Sequence, residues 1–102
     1  MLIIVHYIWG AGFVGCRTLA VLDELNIDVE GFIDSNITTQ NKIIEAIPVT
    51  SPDMILRKIK TKPFIIIGTS LLYQDEIEKQ LNSFGLFLEL DYCSLYNLVR
   101  RS

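Results

Sequence analysis

The chain has little of what several protein classes depend on. Its 102 residues include two cysteines, one histidine, one tryptophan and three prolines. Two cysteines, Cys16 and Cys93, cannot build a disulfide framework, and their separation matches no zinc-ligand spacing. Such sparse usage fits a reducing, cytoplasmic setting. With His6 as the sole histidine, no Ser-His-Asp order can be assembled. Basic residues are outnumbered: nine Lys and Arg against twelve Asp and Glu leave a net charge of −3. That balance argues against a nucleic-acid partner, which would want a basic stripe. Arg57, Lys58, Lys60, Lys62, Arg100 and Arg101 read as solvated helix faces or tails. No apolar run approaches the ~20 residues that span a bilayer. The apolar start lacks the positively charged region of a signal peptide. There is no internal repeat, low-complexity tract or linker, so one small domain over residues 1–102 is expected.

What the chain does have is apolar surface. Half of its residues are hydrophobic, as expected of parallel sheets covered on both faces. The apolar run at residues 2–9, LIIVHYIW, leads directly into Gly10, Ala11, Gly12, Phe13, Val14 and Gly15, a G-x-G-x-x-G. A helical pattern follows, in which Val14, Thr18, Val21, Leu22 and Leu25 share one face. Strand, glycine turn and helix in that order form the dinucleotide-binding context. Gly10 would allow the sharp turn, Gly12 the close approach of a pyrophosphate, and Gly15 the packing of helix on strand. The helix N-terminus would offer N–H groups and partial positive charge to the anion. The same glycines also serve tight turns in domains that bind nothing.

A second strand, residues 28–33, ends at Asp34 about 20 residues past the glycines, where a ribose diol would be held. Asp34, Ser35 and Asn36 are equally good chemistry for an ordinary turn. Residues 41–46 suggest a short helix, and 47–49 a short strand whose Pro48 points to a sheet edge. Ser51 and Pro52 open a helix through Met54 and Ile59. Phe64, Ile65, Ile66 and Ile67 form the clearest buried strand, followed by Gly68, Thr69 and Ser70. In an open parallel sheet these three would face the glycine turn across a crevice, close to a phosphate or ribose. They are also common helix-capping residues. The next helix places Tyr73, Ile77, Leu81 and Phe84 inward and Asp75, Glu76, Glu78, Lys79 and Gln80 outward, and Gly85 closes it. Residues 86–90 read as a fifth strand and 91–101 as a short helix using Leu95, Leu98 and Val99.

The sum is an α/β fold, a doubly wound parallel sheet of about five strands in the order 3-2-1-4-5. The segments YIWGAGFVG, VEGFIDS, IPV and IIIGTS resemble the Rossmann-like N-terminal domains of sugar acyltransferases, some sugar-linked methyltransferases and polysaccharide-biosynthesis dehydratases. The likeness spans nearly the whole chain and implies a nucleotide-binding module of a sugar or polysaccharide biosynthesis system, holding NAD or a nucleotide-sugar. One departure is Ala46, where such domains often carry glycine before the Ile-Pro-Val strand.

Catalytic groups are missing from this reading. No Tyr-x-x-x-Lys spacing serves hydride chemistry. Cys16, at a helix start that favours a thiolate, is more commonly a small buried hydrophobe. Three functions stay open: a nucleotide-binding module for a partner domain in trans, the cofactor half of an NAD-dependent oxidoreductase, and an empty scaffold for oligomerisation. Phe87, Tyr92, Tyr96 and Leu98 suggest an apolar patch and a homodimer.

Overall fold

Alternate residues of the central strands face opposite ways, and the computed structural model, which describes residues 3–53 and 61–97, builds two apolar layers on that alternation. The strands are β1 (Ile3–Trp9), β2 (Val29–Ile33), β3 (Ile43–Ile44), β4 (Ile47–Thr50), β5 (Thr61–Ile67) and β6 (Tyr92–Ser94). They form one sheet in the order β3-β4-β2-β1-β5-β6. All neighbouring pairs are parallel except the β3–β4 hairpin. Helix α1 (Phe13–Glu24) connects β1 to β2, and α2 (Leu71–Ser83) connects β5 to β6. No helix among the described residues is long and apolar enough to cross a membrane.

β1 lies at the centre, pairing with β5 from Ile3↔Thr61 to Trp9↔Ile67 and with β2 through Trp9↔Ile33. On one face Tyr7, Trp9, Ile33, Ile65 and Ile67 pack with Ile77 and Leu81 of α2 and with Tyr92. On the other, Ile8, Phe32, Val49 and Ile66 pack with Leu19 and Leu22 of α1 and with Cys93. The two helices therefore cover opposite faces, and the central strands are apolar throughout because both sides are buried. Burying each such aliphatic side chain contributes roughly 1.5–3 kcal/mol. The Tyr92 hydroxyl donates to Asn82 Oδ1 at 2.8 Å, tying β6 to α2.

The structure corrects several sequence expectations. Residues 86–90 are not the fifth strand: the chain folds back on itself after Gly85 (φ +82°). The Asp91 carboxylate accepts the Phe87 N–H, Asp91 N–H donates to Phe87 O, and Glu89 turns at φ +72°. Phe87, Leu88 and Leu90 are consequently exposed, and Tyr92–Ser94 pairs with β5 instead. Residues 41–46 are not helical. Asn41 ends a run of turns, and the β3 hairpin follows, so β4 with its Pro48 is covered by β3 rather than lying at the edge. Helix faces shift as well: Leu19 is buried, whereas Leu25, Tyr73 and Phe84 are exposed. Tyr92, assigned to an apolar surface patch, is buried. The expected helical stretch at residues 54–59, together with Leu2, Leu98 and Val99, falls outside the described residues; Pro52 and Asp53 are helical.

Candidate functional site

At the carboxyl end of β1 the chain leaves the sheet through Gly10, whose φ of +119° L side chains rarely adopt. A Cβ there would lie 2.7 Å from Gly68 O and 2.8 Å from Thr69 Cγ2. The Gly10 N–H donates to Ile33 O at 2.8 Å and the Gly68 N–H to Trp9 O at 2.9 Å, joining the ends of β1, β2 and β5. Helix α1 then lies down on this junction. Gly15 passes so close that a Cβ would sit 1.8 Å from Gly10 O. Gly68 is also confined, though less tightly, 2.8 Å from Thr18 Oγ1 and 2.9 Å from Ile8 Cγ2 for an added Cβ. The Thr18 hydroxyl satisfies itself by donating to Val14 O at 2.7 Å.

Gly12 is different. It is exposed, its φ is −95°, and nothing lies within 4 Å of an added Cβ. It is the N-cap of α1, and no side chain caps that end. The first-turn N–H groups therefore face outward without an intramolecular acceptor from a capping side chain. Phe13 beside it is exposed, with the Arg17 guanidinium 5.8 Å over its ring.

Asp34 stands across from the glycine turn. Its Oδ2 accepts the Ala11 N–H at 3.1 Å, and its Oδ1 accepts the Asn36 N–H at 2.8 Å. The carboxylate thus latches the turn after β1 to the turn after β2. Each oxygen keeps a further lone pair for a ligand. Gln40 Nε2 donates to Asp34 O, and Asn36 Oδ1 accepts both the N–H and the hydroxyl of Thr38, fixing the loop beyond.

A cleft of about 450 Å³ opens at this point, with Trp9 and Gly10 among the residues lining it. Asp34, Ser35 and Asn36 form one side, and Tyr73, Glu76, Ile77 and Gln80 of α2 another, with Thr69 between. Ser70 and Thr69 border a second depression of about 380 Å³ with Leu71, Leu95 and Tyr96. Of the residues expected at a site, Gly10, Asp34, Ser35 and Thr69 line this cleft. Ala11, Gly15 and Gly68 are buried beneath it, while Gly12 and Phe13 are exposed and Val14 is half-buried. Tyr73, Glu76 and Gln80 were missed as cleft residues. They share a helical face with buried Ile77, and that spacing was the available signal.

His6 lies back along β1, edge-on to the Phe64 ring at 6.0 Å. Burial lowers its pKa below the ordinary 6.5, opposed by the charge of Asp28. Cys16 and Cys93 both pack with the α1-side core. Among the described residues no group of His, Cys, Asp and Glu is arranged to hold a metal.

Comparison with curated proteins and with solved structures gives no match. A family model does match, over residues 4–87. That span runs from β1 through α2 and includes the glycine turn, Asp34 and the cleft-facing side of α2. The chain belongs to the C2185-like, N-terminal family.

Proposed function

We propose that the crevice binds a nucleotide, as a dinucleotide such as NAD or a nucleotide-sugar, and that the domain is a Rossmann-like module presenting it to catalytic groups supplied elsewhere. The observation that carries this reading is the contrast among the glycines. Gly10, Gly15 and Gly68 are each required by contacts within the chain. Gly12 has no such neighbour and no positive φ, so packing supplies no reason for glycine there. The close approach of a ligand phosphate to bare backbone does supply one. The uncapped start of α1 adds outward N–H groups and a partial positive charge at the same place. The ribose would reach the remaining lone pairs of Asp34, and the base would enter the cleft toward α2.

The scaffold reading has its own support. Asp34 already has structural work, linking Ala11 to Asn36, so its position is explained without a ligand. Gly12→Val separates the two. Its Cβ has open space within 4 Å, and its branched side chain would occupy the space a phosphate would take. Calorimetric titration with NAD, ADP and UDP should show binding to the native protein and at least roughly a hundredfold loss in the variant. Equal binding by both proteins would make the motif a structural turn and leave the scaffold reading.

A further inference from the structure

The α2 side of the cleft carries polar groups that the fold does not use. Tyr73, Glu76, Ile77 and Gln80 recur at helical spacing and all line the cleft. Tyr73, Glu76 and Gln80 are exposed, and Ile77 is buried beneath them. Among the described residues, neither the Glu76 carboxylate nor the Gln80 side-chain amide has a hydrogen-bond or ion-pair partner. The opposite side brings the Asp34 carboxylate. Carboxylates only accept hydrogen bonds, so a group seated between these sides must offer donors. Phosphates are repelled there, which sends them toward the start of α1. The nucleobase is left for the α2 side.

Bases differ in what they offer at that edge. Adenine and cytosine carry an exocyclic amine, two N–H donors that a carboxylate accepts, next to a ring nitrogen that an amide can serve. Hypoxanthine and uracil carry a carbonyl oxygen at the corresponding position, which faces a carboxylate lone pair to lone pair, and an N–H in place of the acceptor ring nitrogen, so Glu76 and Gln80 would have to exchange roles to serve them. We propose that Glu76, with Gln80 one turn further along α2, selects nucleotides whose base bears an exocyclic amine over their carbonyl counterparts. Tyr73, one turn before, offers its ring to the face of the base. This rests on the nucleotide reading above. Within that reading it favours an adenine nucleotide over a uridine one.

Two matched pairs of ligands test it, because each pair exchanges the amine for a carbonyl and, with it, the acceptor ring nitrogen for an N–H, and changes nothing else. Calorimetry on the full chain should show ADP binding roughly tenfold tighter than IDP, and CDP roughly tenfold tighter than UDP. Glu76→Gln, which replaces an acceptor-only group with one that also donates, should collapse both ratios toward one. Glu76→Ala should do the same. Since Glu76 is exposed and has no partner among the described residues, circular dichroism and melting temperature should be unchanged in both variants. Equal affinity within each pair, with all four diphosphates bound, overturns the base selection and leaves the nucleotide reading standing. Ratios that survive in both variants overturn the role of Glu76. If none of the four binds, both readings fall together.

Discussion

Gly15 and Gly12 belong to one turn of the chain, yet their surroundings impose opposite constraints. Gly15 is buried, pressed against the carbonyl of Gly10 at a distance no side chain tolerates. Gly12 faces solvent with space around it. The motif assigns Gly15 to packing and Gly12 to a ligand, and the structure makes Gly15 a condition of folding while leaving Gly12 with no contact that demands glycine. Substituting each glycine should therefore damage a different property, and that separation can be tested.

The largest effect is expected at Gly15. An alanine Cβ would fall 1.8 Å from a backbone oxygen, which cannot swing aside as a flexible side chain could. Relief requires α1 to lift from the ends of β1 and β5, loosening Leu19 and Leu22 in the core. Gly15→Ala should cost roughly 3–5 kcal/mol, a large share of the stability of a small domain. Urea denaturation would show it as a much lower midpoint. A cost under about 1 kcal/mol would mean that α1 does not lie as close as described. Gly12→Val, by contrast, should cost only about 1 kcal/mol, for a poorer N-cap, while removing nucleotide binding. If Gly12→Val instead unfolds the protein, the contrast between the two glycines is broken.

Asp34 sits between these extremes, because its carboxylate serves the fold and is placed to serve a ligand. Asp34→Ala removes the acceptor for both the Ala11 and Asn36 N–H groups. Both bonds are at least partly open to solvent, so water replaces them in part, and a loss of about 1–2 kcal/mol is expected. If the carboxylate also holds a ribose diol, nucleotide affinity should fall roughly ten- to a hundredfold in protein that remains folded. Thermal melting and calorimetry on one preparation separate the two losses. A lower melting temperature with unchanged affinity would assign Asp34 to the latch alone.

The parts of this architecture that were legible in the sequence are those with one dominant physical signal. β5 was plain because Ile65, Ile66 and Ile67 are apolar without alternation, as a strand buried on both faces must be. The turn after β1 was plain because three glycines at that spacing permit a positive φ and close approaches that no other residue allows. The region after α2 was not, since Phe87, Leu88 and Leu90 look like strand residues. A hydrogen bond between Asp91 and Phe87 instead turns them outward, and periodicity carries no sign of it. The α2 side of the cleft was missed for a similar reason. An outward polar face on a helix is the same pattern whether it meets water or a cavity, and only the packing of α2 against Trp9 and Ile33 decides which. Asp34 was legible as a position and ambiguous as a role, since turn chemistry and diol chemistry use the same carboxylate.

The smallest expected effect completes the contrast, at a place where the backbone suits glycine and the chain has none. β3 and β4 are joined by a two-residue loop, Glu45 and Ala46, at φ +53° and +65°. Both values positive define the hairpin turn whose twist matches its strands, and that turn favours glycine at its second position. An L residue in the left-handed region costs roughly 1–2 kcal/mol, of which alanine bears the steric part. Glycine removes that cost and adds back about 0.4–1 kcal/mol through the greater freedom of the unfolded chain. Ala46→Gly should thus stabilise the protein by about 0.5–1 kcal/mol, raising the melting temperature by roughly 2–6 °C. The hairpin borders the sheet edge and does not line the cleft, so nucleotide affinity should be untouched. A lower melting temperature would mean that Ala46 leaves the left-handed region in solution. The hairpin would then have to be joined by a different turn, and the path of the chain from Asp34 to β4 with it.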